Sequence, residues 1–207
     1  MKRIVFLGFF LGAAIPEMSG AQPGNQATPV SAIASVVRIP VRSDSRLWLE
    51  GSSNVRDWTC KATAMDATLD VSSASGTRQV RGVAVQVPVR MLKCGDRHME
   101  AHLYKALGAP QASAQTLITA EFGHFPNAIV AGESVQVNGE VTVAGVQRTV
   151  TMNVRSDRLP DGSYRARGNV PILMTDFGIK PPRPWGGILK TADRVVIQFE
   201  IFIPVGS

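Results

Sequence analysis

His98 and His102 stand four residues apart, a spacing that on a helix can bring two imidazoles to one metal ion. The stretch reads His98-Met99-Glu100-Ala101-His102, so the glutamate is not next to the first histidine, where a zinc protease keeps its base. The remaining histidine, His124, is distant in sequence and nothing positions it as a third ligand. Two polar residues near the rim of the fold, with no metal, is the simpler reading. Serine is plentiful, yet no Gly-x-Ser-x-Gly nucleophile turn occurs, and Gly51-Ser52-Ser53-Asn54 lacks the second glycine. Asp176-Phe177-Gly178 stands without the phosphate loop that would give it kinase meaning. Few groups are left to catalyse anything, and we expect no enzyme, no cofactor and no catalytic residue.

The N-terminus reads as an export signal. Lys2 and Arg3 precede an apolar stretch, Ile4–Ile15, Pro16 breaks it, and Ser19-Gly20-Ala21 supplies the small residues of a cleavage site after Ala21. An uncleaved anchor is the alternative. Residues 1–21 are thus assigned to a signal peptide, 22–33 to a small, polar, proline-containing lead-in, and 34–205 to one folded domain in the periplasm or outside the cell. Cleavage leaves 186 residues with 20 basic and 15 acidic side chains, a net charge of +5. The basic residues are scattered singly (Arg78, Arg81, Arg90, Arg97, Arg148, Arg155, Arg158), which argues against nucleic acid as a partner. Export also bears on Cys60 and Cys94, the two cysteines of the chain. An oxidising compartment favours a disulfide between them over two separate buried thiols. It would close a loop of about 35 residues, worth roughly 3–4 kcal/mol in the chain-entropy model.

The rest of the chain is mostly strand. Val135, Val137, Gly139, Val141 and Val143 alternate with polar residues, as do Val150, Met152 and Val154, then Val83 to Val89, then Val195 to Ile203. Weaker strand patterns lie at Ser35–Val41, Arg46–Glu50, Thr59–Val71, Thr116–Phe122 and Tyr164–Met174. Asn138-Gly139 is a strong hairpin dipeptide, but a turn there would cut an unbroken alternation. The turn is therefore placed at Ala144-Gly145, and Gly139 is read as a strand glycine facing the interior where something approaches closely. One helix interrupts the strands over Asp96–Gly108, with Asp96 as cap, Gly108 as stop, and Met99, His102, Leu103, Ala106 and Leu107 on one side. The pattern predicts an all-β fold: an antiparallel barrel of about eight strands with one short helix.

Four segments, in order, carry a resemblance to the YceI-like family of exported, lipocalin-like, polyisoprenoid-binding barrels. They are Leu49-Glu50-Gly51-Ser52-Ser53-Asn54-Val55-Arg56-Asp57-Trp58-Thr59-Cys60; Val87 to Gly95 followed by His98-Met99-Glu100 and Lys105-Ala106-Leu107; Val137 to Val146; and Thr175 to Pro182 with Ala192 to Ile197. The chain departs from the family pattern at Glu100, usually Asp, and by inserting Gln111-Ala112-Ser113-Ala114-Gln115. The resemblance implies a lipocalin-like barrel holding a long isoprenoid chain.

From the residues themselves, the inward, lumen-lining candidates are Val85, Val87, Ile118, Phe122, Val137, Val141, Met152, Leu173, Ile197 and Phe199. They suit an apolar ligand, which the resemblance implies is an isoprenoid-type lipid. The same residues would also fill a solid barrel acting as an envelope interaction factor, and a cofactor-free enzyme on a lipid substrate is a third reading. The protein is expected to be soluble, with transient membrane contact and homodimer formation left open. Pro181 to Gly187 is read as a rigid loop across one barrel end, rather than a polyproline peptide for a partner, with Trp185 as a flap over the mouth.

Overall fold

The computed structural model describes residues 36–74, 77–109, 116–123, 125 and 132–204. Residues 1–21, expected to be a signal peptide, the expected lead-in 22–33, the inserted 111–115, His124 and the side chain of Trp185 lie outside the described residues. The strands are β1 (Val36–Pro40), β2 (Arg46–Ser53), β3 (Asp57–Ala62), β4 (Asp66–Ala74), β5 (Thr77–Pro88), β6 (Leu92–Lys93), β7 (Leu117–Gly123), β8 (Ser134–Val143), β9 (Val146–Arg158), β10 (Tyr164–Leu173) and β11 (Thr191–Ile203), with one helix, α1 (Arg97–Ala106). All are joined in one sheet of eleven strands, in the order β1-β4-β5-β7-β8-β9-β10-β11-β2-β3-β6. Every neighbouring pair is antiparallel, for example β8 with β9 and β10 with β11.

The all-β antiparallel class with a single helix is as predicted, but the strand count and the closure are not. Thr59–Val71 is two strands, because Thr63 gives both its N–H and its hydroxyl to the Met91 carbonyl and leaves the ladder. β5 stops at Pro88, and Val89–Met91 coils into a short 3₁₀ turn before β6. Among the described residues the terminal strands β1 and β6 do not pair with each other. The sheet is therefore a curled half-barrel rather than a cylinder closed by hydrogen bonds.

The Asn138-Gly139 conflict resolves in favour of the strand. Gly139 sits inside β8, and the chain turns at Ala144 (φ 51°) and Gly145 (φ 80°), both left-handed as a tight hairpin turn requires. Gly139 lies opposite Phe122 in the β7–β8 register, Gly168 opposite Phe199 in β10–β11, and Gly51 opposite Trp58 in β2–β3. In each pair the aromatic ring covers the glycine: a Cβ at Gly139, Gly168 or Gly51 would lie 2.1, 2.5 or 2.1 Å from a ring atom. Missing side chains on one strand thus make room for large ones on the next. The inward faces of these strands build one core in which Val137, Leu92 and Cys60 are fully buried.

Candidate functional site

Short polar contacts position α1. Asp96 caps it, its carboxylate accepting the Met99 N–H at 2.9 Å. Glu100 accepts the Cys94 N–H at 3.1 Å and lies 3.7 Å from Lys93 Nζ. The Tyr104 hydroxyl donates to the Leu92 carbonyl at 2.8 Å and accepts from Lys93 Nζ at 3.1 Å, while Arg90 and Lys93 lie over its ring. A disulfide joins Cys60 on β3 to Cys94, just ahead of the helix. One flank of α1 is thereby fastened to the 90–94 segment, and no residue of the helix is itself buried.

The other flank does not pack flush on the sheet. Met99, Leu103, Ala106 and Leu107 face a cavity of about 390 Å³, lined opposite by Leu49, Trp58, Ile172, Met174, Ile179 and Ile197. Polar lining groups are few: Ser53, Arg56, Asp96, His98, His102 and Thr191. Of these Arg56, Asp96, His98 and His102 are exposed, which marks the mouth. His98 and His102 therefore share the rim of a hollow, and among the described residues no set of three metal-ligating side chains gathers there or elsewhere.

The Met99 amide holds the Asp96 carboxyl below the usual carboxylate range. A depressed folded-state pKa means that the unfolded chain binds the proton more readily, so stability rises with pH through this range. The cap's contribution is complete above the unfolded value, about pH 4, and is lost as pH falls through the lower folded value. Asp96→Asn keeps a capping oxygen but cannot titrate. Its melting temperature should fall less steeply than wild type between about pH 4 and pH 2; parallel curves would show that the cap does not couple to folding.

A second chamber of about 80 Å³ continues into the half-barrel. Its wall includes Val85, Val87, Ile118, Phe122, Val141, Met152, Ile197 and Phe199, all expected to point inward. Leu49, Ile118 and Ile197 border both chambers and form the partition between them. Val137 is fully buried in the adjoining core and lines neither. Leu173 is a correction: it is 42% exposed and lines neither chamber. Ile172 and Met174, its chain neighbours, border the large chamber in its place. Period two along β10 puts Leu173 on the outer face with Arg165, Arg167 and Asn169, and Ile172 on the inner face with Val170.

The sequence model of the YceI-like domain matches residues 42–203. The chain belongs to the YceI-like family. No curated protein matches this YceI-like chain significantly. Among solved structures, BcnA of Burkholderia cenocepacia is similar at 18% identity and TM-score 0.60, over 79% of this chain and 99% of its own. A polyisoprenoid-binding domain from Saccharophagus degradans is similar at 12% identity and TM-score 0.57, over 82% of this chain and 100% of its own. A mutant YceI protein of Campylobacter jejuni aligns at 14% identity and TM-score 0.52, over 72% of this chain and 85% of its own. At these identities the likeness is one of fold.

Within this YceI-like fold, the larger chamber is the part that sequence reasoning underestimated. Eight of the ten inward candidates border the small chamber, and of these only Ile118 and Ile197 reach the large one. Trp58, Leu103, Ile179 and Pro182, which complete the large chamber, come from a strand, the helix and a loop. One signal was available: the apolar side of Asp96–Gly108 packs against the core through Leu107 and also lines the hollow.

Proposed function

We propose that the protein is a non-enzymatic carrier that binds or sequesters a long apolar lipid of isoprenoid type, with its tail in the two chambers and its polar end at the Arg56–His98–His102 mouth. The observation that carries this is the distribution of polarity, with aliphatic and aromatic walls inside and polar groups gathered at one opening. Such a site needs no reactive group. Each buried CH₂-sized unit returns about 0.8 kcal/mol, so ten give roughly 8 kcal/mol gross, equivalent to about micromolar binding before ordering costs. The polyisoprenoid-binding description of the Saccharophagus relative and membership of the YceI-like family favour this ligand class. The N-terminal signal pattern supports action in the periplasm or outside the cell.

The test is native mass spectrometry of gently purified protein, followed by solvent extraction and uptake of added polyprenol. A stoichiometric prenyl adduct is the expected result. Ala106→Trp, which projects an indole from α1 into the large chamber, should weaken uptake at least tenfold while leaving the fold intact. An apo mass with no uptake would instead mark a scaffold that works through surface contacts.

A further inference from the structure

Beside the cavity mouth the surface is apolar at its tip and cationic around it. Ile188 and Val55 are among the most exposed large hydrophobic residues, at 74% and 65%. Asn54 fixes their two loops together: its side-chain amide donates to the Ile188 carbonyl at 3.0 Å and its Oδ1 accepts the Lys190 N–H at 2.7 Å. A backbone bond from the Asn54 N–H to the Lys190 carbonyl, 3.1 Å, completes the clamp. Leu189 points into the cavity while Ile188 points away, so the exposed pair sits on the wall of the opening.

The same loop, 178–190, carries Lys180, Arg183 and Lys190 and no carboxylate, and the 54–56 hairpin adds Arg56. All four are exposed, and among the described residues none has a salt-bridge partner. Lone exposed aliphatics are ordinary, but two held on a clamped platform, beside Lys180, Arg183 and Lys190 and opening onto an apolar cavity, are not. Aliphatic side chains that enter the headgroup region and basic ones that stay above it are the features of a protein that rests on an anionic bilayer.

We infer that this end of the molecule docks on an anionic membrane surface, with Val55 and Ile188 inserted and Lys180, Arg183 and Lys190 on the lipid headgroups. In that pose the mouth faces the bilayer. The inference rests on the lipid-carrier reading for its purpose, but its evidence is the surface itself.

The experiment is co-sedimentation of the purified protein with vesicles of phosphatidylglycerol and phosphatidylcholine, against vesicles of phosphatidylcholine alone. Polyprenol uptake from detergent solution is measured in parallel. Wild type should bind the anionic vesicles and lose them as salt is raised. Lys180→Gln, Arg183→Gln, Lys190→Gln together should weaken binding on the order of a hundredfold at low salt. Val55→Asp with Ile188→Asp should weaken it at least tenfold. Both variants should retain uptake from detergent and the wild-type melting temperature, since every altered side chain is exposed. Equal binding to both vesicle types, no binding, or variants that sediment like wild type would overturn docking while leaving the carrier reading standing. A wild-type dimer dissolved by the aspartates would assign the surface to a second copy instead. Loss of uptake in wild type with vesicle binding intact would overturn the carrier reading alone.

Discussion

Gly139→Val should cost about 3–5 kcal/mol of folding stability, read as a lowered denaturant midpoint with an unchanged slope. A Cβ at this position would lie 2.1 Å from a ring carbon of Phe122 and 2.5 Å from the Glu121 carbonyl oxygen. The ring can turn aside only by leaving its place in the core, where it is 7% exposed. The carbonyl cannot move without pulling β7 off β8, because Glu121 and Phe122 are paired in register with Glu140 and Gly139. Trimming the ring should therefore not rescue the variant: Gly139→Val with Phe122→Ala should be no more stable than Gly139→Val alone. Gly51→Ala provides the contrast. The three atoms nearest its Cβ all belong to the Trp58 ring, so Gly51→Ala with Trp58→Ala should recover part of the loss, a coupling a double-mutant cycle would measure. A Gly139→Val protein within 1 kcal/mol of wild type would mean that β7 and β8 can separate freely, and would sink the account of this sheet.

The second large effect belongs to the disulfide. Replacing Cys60 and Cys94 with alanine should remove about 3–4 kcal/mol, since the bond spans a sequence separation of 34. For a domain of this size that is about 10 °C in melting temperature. The loss should concentrate on α1. The helix buries none of its own residues and is held by Glu100 and Tyr104 contacts to the segment that Cys94 anchors. Hydrogen exchange in the alanine variant should accelerate in 97–106 before the strands of the meander β7 to β11 open. Uptake of polyprenol should fall with it, because α1 is one wall of the large chamber. Tyr104→Phe should show the same regional loosening at about 1 kcal/mol. Uniform acceleration across the domain would mean that the helix is held by something other than these contacts.

The half-barrel was legible wherever strands alternate cleanly. β8, β9 and β11 follow the period-two pattern of their valines and isoleucines, and the placement of Gly139 inside a strand followed from refusing to break that pattern. The side of Ile172 and Leu173 was legible and passed over: Leu173 is in phase with Arg165, Arg167 and Asn169, and Ile172 with buried Val170. What could not be read was pairing. Nothing local says that Thr63 turns toward Met91, so Thr59–Val71 looked like one strand. The large chamber was invisible for a related reason. It is the space between α1 and the sheet, and its volume depends on how far Tyr104 and Glu100 hold the helix to one side. Tyr104 carries no sequence mark of that role.

The partition made by Leu49, Ile118 and Ile197 has a consequence for cargo size. A tail short enough to end in the outer chamber leaves these three side chains where they are. A longer one must swing them from their rotamers before its end can enter the inner space, and only then does further length return binding energy. Plotted against the number of carbons in a homologous series, affinity should climb, level off, and climb again. The protein would then measure its cargo in two steps, as a staircase does, rather than along a ramp.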